Sequence, residues 1–239
     1  MKKDGSRAKL DFERPLVTVD LAIFCVLEET LKVLLVQRPR VADEPFPGEW
    51  ALPGGFIDVA IDASLEACAL RKLREKTGVK APYLEQLASW GDAERDPRGW
   101  SATHAYFALI DATRPEARLE ESNAAQWMAA GAPITRRMAF DHARILATAL
   151  ARLRGKVEYT SLPAFLLPEP FTLPQLQRTY EIVLGRPLDK SAFRKRMLDA
   201  GFLGEAGPID GALGRAAMGY RVLDRTGPVT FPRMFKTAE

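Results

Sequence analysis

The chain has 239 residues, 47% of them hydrophobic and 27% charged, with a formal net charge of +3. These proportions exclude a disordered chain and suit ordinary globular structure, and the length fits two compact domains better than one. The longest apolar runs, such as Val33-Leu34-Leu35-Val36, are strand-sized and fall far short of the ~20 residues that span a bilayer. Residues 16–26 (LVTVDLAIFCV) alternate and are rich in β-branched and aromatic residues, so they predict a strand. Residues 31–37 predict a second, and the short Glu28-Glu29-Thr30 segment between them suits a hairpin. A loop carrying Pro39, Pro45, Pro47 and Gly48 follows. Ser64 then serves as N-cap for a helix whose apolar positions Leu65, Cys68, Ala69 and Leu73 keep helical spacing, and Gly78 ends it. Residues 84–91, 102–110 and 124–128 predict strands, and residues 140–154 an amphipathic helix.

Gly155 and the stretch LPAFLLPEP mark a change, since three prolines in eight residues suit a linker or an irregular docking segment. Two helices follow. Thr172 caps the first and Gly185 ends it; Asp189 or Ser191 caps the second, with Gly201 at its end. Residues 217–223 and 228–235 predict short strands, and helix, turn, helix, strand is the order of a winged helix. Residues 1–154 carry 22 basic and 22 acidic side chains, and residues 155–239 carry 12 and 9, so the second half holds the whole positive excess. The N-terminus, MKKDGSRAKLDFERP, lacks the apolar stretch of a signal peptide. Cys25 and Cys68 sit in apolar patterns and are expected in the core, not in a disulfide. A cytoplasmic protein without membrane association is the expectation.

The stretch from Leu52 to Val79 resembles the Nudix box. Pro53-Gly54-Gly55-Phe56-Ile57 and Arg71-Lys72-Leu73-Arg74-Glu75-Lys76-Thr77-Gly78-Val79 form its two halves, two residues further apart than the pattern, with Ala63 at the upstream glutamate position. The resemblance implies an α/β/α sandwich that cleaves pyrophosphates with Mg²⁺ or Mn²⁺ held by helix glutamates. Hard cations want anionic oxygen ligands, and spacings of three and four put such ligands on one helix face. Here those positions are Lys72, Glu75 and Lys76. A set of charge −3 has become +1, which implies neither a metal site nor catalytic residues. Arg71 and Glu75, four apart, can still pair. Asp58, Asp62 and Glu66 leave open a rearranged metal site.

A second stretch, Trp90-Gly-Asp-Ala-Glu-Arg-Asp-Pro-Arg-Gly-Trp100, resembles the loop of ADP-ribose-recognising Nudix proteins, as does Phe140-Asp141-His142-Ala143 on the next helix. Guanidinium forks pair with phosphate oxygens and aromatic faces stack on a base; an ordinary polar turn is the alternative. His142 is expected in a structural hydrogen bond, and His104 has no assigned role.

A Nudix domain with a disabled metal site fused to a winged helix is similar to the NrtR-type Nudix-related transcriptional regulators of NAD metabolism, over about Val17 to Arg221. The FDHARI, EPFTLPQLQ and LGRPLDKSAFRKRM segments share the likeness. The resemblance implies an effector domain over residues 1–155, a DNA-binding domain over 156–239, and a homodimer reading paired half-sites. ADP-ribose or a related NAD metabolite is the implied effector, with a sugar phosphate as the alternative, and no cofactor is required. The implied effector contacts are Arg38, Phe46, Arg71, Glu75, Asp96, Arg98 and Trp100. The implied contacts to double-stranded DNA are Lys190, Ser191, Arg194, Lys195, Arg196 and Arg215, with Phe193, Met197 and Leu198 turned to the core. The wing, GPIDGALGRAAMGY, departs from the family's strongly basic pattern: Asp210 is acidic and Arg215 alone matches. An ADP-ribose pyrophosphatase with a rearranged metal site and a protein-recruiting module are the competing readings.

Overall fold

A computed structural model describes residues 13–78, 83–111, 124–131, 138–210 and 216–235. Strand β1 (Leu16–Leu27) is the axis of the first half. It pairs antiparallel with β2 (Thr30–Gln37) and β4 (Gly54–Phe56), and parallel with β6 (Ser101–Leu109). Beyond these, β3 (Trp50–Ala51) and β7 (Ala125–Ala129) pair with β2, and β5 (Tyr83–Asp92) pairs with β6. Side chains alternate between the faces of a strand, and β1 uses both. Val19, Leu21, Ile23 and Cys25 meet Cys68, Ala69 and Leu73 of helix α1 (Leu65–Thr77). Ala22 and Phe24 turn to the opposite core, with Ile145, Leu146, Ala149 and Leu153 of helix α2 (His142–Val157). One sheet between two helices is the expected sandwich, and both cysteines are free and buried within it.

Local signals set the boundaries. The Ser64 hydroxyl accepts from the Ala67 amide at 3.0 Å, and Gly78, at φ 67°, closes α1 in the left-handed conformation. The β1–β2 turn places Glu28 and Glu29 at φ 50° and 57°, the geometry a two-residue hairpin demands, without glycine.

The second half begins inside a helix. Helix α2 runs through Gly155 to Val157. The proline-rich stretch is no free linker: Leu162–Leu166 is a 3₁₀ helix with every side chain buried. Helix α3 (Leu173–Leu184) starts with a capping box, in which Thr172 and Gln175 exchange hydrogen bonds. Helix α4 (Lys190–Asp199) is capped by Asp189, whose carboxylate accepts from the Ala192 amide at 2.7 Å. An antiparallel hairpin of β8 (Leu203–Asp210) and β9 (Ala216–Val222) completes a winged helix.

Three expectations need correction. Strand β8 escapes sequence reasoning because Gly204, Gly207 and Pro208 read as loop; the hairpin accommodates them with a bulge, Gly207 standing at φ 83°. Residues 228–235 are a strap, not a strand. Only Thr230 forms a bridge, to Thr160, while Phe231 and Phe235 insert into an aromatic cluster with Tyr180, Phe193 and Phe202. On α4, Phe193 and Met197 face the core as expected, but Leu198 is exposed.

The two halves share one core. The cluster holding Phe24, Phe107 and Leu153 continues through Phe165, Tyr180 and Phe193. The Tyr83 and Phe165 rings meet across the junction at 5.5 Å. Around it, Arg186 pairs with Glu158 at 2.7 Å, Arg154 donates to the Val183 carbonyl, and Arg178 of α3 pairs with Glu29 of the β1–β2 turn. No helix among the described residues is long and apolar enough to cross a membrane.

A shared core couples the halves energetically. Urea denaturation of the full chain is expected to show one cooperative transition by both fluorescence and circular dichroism. Phe165→Ala should lower its free energy by about 3–5 kcal/mol, the usual range for truncating a buried Phe; two separated transitions would contradict the shared core.

Candidate functional site

A cavity of about 810 Å³ opens beside β2, β4, the 92–99 loop and the start of α2. That is nucleotide-sized. Asp20, the carboxylate that interrupts the apolar run of β1, lines the cavity and is 4% exposed. Arg95 Nη2 donates to Asp20 at 2.9 Å, and His142 Nε2 lies 3.5 Å away. The Leu52 amide donates to His142 Nδ1 at 2.9 Å. A ring nitrogen that accepts carries no proton, so the Nε2–H tautomer faces Asp20. Burial pushes the Asp20 carboxyl up, but His142 and Arg95 outweigh it and hold the group below the ordinary carboxylate range. Arg95 Nε also lies 2.9 Å from Asp141 Oδ1, off the hydrogen-bonding axis, so that contact is ionic. Gly54 is a steric necessity here, since a Cβ would fall 2.2 Å from Asp20 Oδ1.

This network sets the ligand-facing groups. Arg95 anchors the loop carrying Asp96 and Arg98. Arg98 donates to Asp96 through Nε at 3.0 Å and Nη2 at 2.8 Å, and its guanidinium lies 5.3 Å from the centre of the Phe56 ring. Asp96 is held below its usual range: burial raises it, and the Arg98 hydrogen bonds outweigh that. Phe140 precedes Asp141 and His142 and lines the cavity. The Arg38 guanidinium lies 4.8 Å from the centre of the Phe140 ring, and Phe46 packs edge-on against it at 4.8 Å. Phe46 and Phe140 stand at φ 55° and 54°, an unfavourable backbone for large side chains, and both occur at this one site.

The helix side of the cavity is α1. Glu75 and Lys76 line it, and the Lys72 ammonium sits 3.2 Å from where a Cβ on Gly55 would be. The donor set does not fit the divalent cation of a Nudix hydrolase, because two of the three helix positions are ammonium groups. The acidic residues nearby do not replace them. Asp62 accepts two hydrogen bonds from Arg71, at 2.7 and 2.6 Å, which hold its carboxyl well below the usual range. Asp58 accepts from the Ala60 amide, and Glu66 is exposed. None of the three lines the cavity.

Of the residues proposed from sequence, the structure brings Arg38, Glu75, Asp96 and Arg98 to the cavity wall, with Phe46 immediately behind Phe140. Arg71 faces away, bonded to Asp62 and, at 2.8 Å, to Glu75. Trp100 is 51% exposed, packs over Gly91, and lies off the cavity lining. His142 makes the expected structural hydrogen bond and also lines the cavity; His104 pairs with Ser89 on β5. Asp20, Arg95 and Phe140 were not among the proposed contacts. An isolated aspartate in an apolar strand was the available signal, since a buried charge requires a partner.

On the winged helix, Lys190, Ser191, Arg194 and Lys195 are exposed on α4, and Lys195 pairs with Asp199 at 2.8 Å. Arg196 turns the other way. Its Nη2 donates to the Met234 carbonyl at 3.0 Å and its guanidinium lies 4.0 Å from the centre of the Phe235 ring, under the strap. Arg215 lies outside the described residues.

Comparison with known proteins matches both halves. Residues 18–149 match the NUDIX domain family, and residues 163–222 match the NrtR DNA-binding winged helix domain. The chain is 46% identical over 228 residues to the ADPR responsive transcriptional repressor NtrR of Acinetobacter baylyi, covering 95% of this chain and 90% of that protein. It resembles the structure of Shewanella oneidensis NrtR complexed with a 27mer DNA, with a TM-score of 0.84 and 40% identity over 92% of this chain and 99% of the other. The NUDIX domain of Shewanella oneidensis NrtR complexed with ADP ribose matches with a TM-score of 0.53 and 41% identity, over 64% and 99% of the two chains. With both domains matched in order and the repressor aligned along nearly its whole length, this chain belongs to the NrtR family of Nudix-related transcriptional regulators.

Proposed function

We propose that this protein is a transcriptional repressor of NAD-metabolism genes whose Nudix cavity senses ADP-ribose. The observation that carries the reading is the combination of a nucleotide-sized cavity lined by Arg38, Phe140 and the Asp96–Arg98 fork with an exposed basic face on α4. The family relationship to an ADPR responsive repressor supports it. Phe140 and Arg38 offer a platform for the adenine, and Arg98 a fork for phosphate oxygens. Lys190, Ser191, Arg194 and Lys195 present donors to the DNA backbone and groove, with Arg215 of the wing as a further contact. The active form is a homodimer that places two α4 helices on paired half-sites. Glu75 lines the cavity wall and is held there by its bond to Arg71, and Trp100 packs over Gly91 at the end of β5.

The pyrophosphatase reading lacks a ligand set. Its distinguishing assay is Mg²⁺-dependent release of AMP from ADP-ribose, abolished by Glu75→Gln; the sensor reading predicts no such turnover.

Two outcomes follow for binding. Arg98→Ala should weaken ADP-ribose binding about tenfold or more in calorimetry, as loss of a charge-assisted fork does, without changing DNA affinity in the absence of ligand; unchanged ADP-ribose affinity would remove Arg98 from the site. Arg194→Ala should weaken binding to DNA from the protein's own upstream region and reduce the salt dependence by about one unit of log–log slope. A wild-type slope would place α4 away from the phosphates.

A further inference from the structure

We infer that Lys72 and Lys76 replace the divalent cation of the ancestral site, so that the cavity holds a diphosphate without metal. The inference rests on the sensor reading and extends it to the mode of phosphate recognition. Positions 72, 75 and 76 share one face of α1, three and four residues apart. That face meets the Gly54–Gly55 floor of the cavity: Lys76 lines the wall, and Lys72, itself outside the lining, brings its ammonium over Gly55. Gly55 stands at φ 142°, which leaves its surface bare of side chain where the ammonium approaches.

Three of the other cationic groups at the cavity are held by carboxylates. Arg38 is paired with Glu44, Arg95 with Asp20 and Asp141, and Arg98 with Asp96. Glu75 is bonded to Arg71 at 2.8 Å and forms a looser ion pair with Lys72 at 3.8 Å. Lys76 has no hydrogen bond or ion pair among the described residues. Arg74 and Lys76 line the cavity with no ion pair among the described residues, and Lys72, whose ammonium lies over the cavity residue Gly55, is held only by the 3.8 Å pair with Glu75. An ammonium offers three donors and binds phosphate as a point charge. Two of them supply the charge of one divalent cation at the same helix positions.

The test is calorimetry of the full chain with ADP-ribose and with inorganic pyrophosphate, each in EDTA and in excess Mg²⁺. Wild type is expected to bind both ligands in EDTA, with affinity within about twofold of that in Mg²⁺. Lys72→Ala/Lys76→Ala should weaken both about tenfold or more, with its urea midpoint unchanged. Lys72→Glu/Lys76→Glu should bind neither ligand in EDTA and regain binding with Mg²⁺. Wild-type binding that disappears in EDTA, or an alanine double variant with wild-type affinity, would overturn the inference. Lysine-dependent binding of pyrophosphate without any binding of ADP-ribose would uphold it and refute ADP-ribose as the effector. Binding of neither ligand would refute both.

Discussion

The buried carboxylate of Asp20 is the constraint around which the cavity is organised. A charge at 4% exposure is tolerable only with partners in place. Arg95 and His142 supply them from two distant parts of the chain, and Asp141 balances Arg95 from the far side. The consequence is positional. Satisfying Asp20 pulls the 92–99 loop onto β1 and fixes the first turn of α2. Arg98 and Phe140, the groups offered to a ligand, are thereby held by elements that face each other across the cavity. Gly54 belongs to the same solution, since only a residue without Cβ lets β4 pass the carboxylate.

The two domains are not beads on a string. Their shared core runs from Phe107 and Leu153 through Phe165 to Tyr180, and charged pairs close its edges. Strand β2 reaches both regions: Val36 and Gln37 line the effector cavity, while its first residues adjoin the Glu29–Arg178 contact with α3. A ligand changes DNA affinity only through its different affinity for two arrangements of the protein. A continuous core supplies the mechanical connection that such coupling needs. The strap from residue 228 to 235 adds to it by covering Arg196 and tying the recognition helix to the core through Phe231 and Phe235.

Much of this was legible in the sequence, for identifiable reasons. Alternation in residues 16–26 and caps at Ser64, Thr172 and Gly185 specify elements locally, and the structure keeps them. The Lys72 and Lys76 substitutions could be read as a change of charge on one helix face because helical spacing alone relates them. What could not be read depends on long-range packing. Strand β8 hides behind glycines that only its pairing with β9 accommodates. Arg196 looks like its neighbours until the strap is seen to cover it. Arg71 and Trp100 belong to the right motifs but are not among the residues lining the cavity, and Asp20 acquires its role from residues 75 and more positions away.

The central claim is that occupation of the Nudix cavity changes the winged helix's grip on DNA. The direct measurement is fluorescence anisotropy of the full chain on DNA from its own upstream region, at fixed moderate salt, with ADP-ribose added in steps. The account predicts binding tighter than to a scrambled sequence, released as ADP-ribose saturates. Specific binding that stays constant through saturating ADP-ribose, with ligand occupancy confirmed by calorimetry, would contradict it.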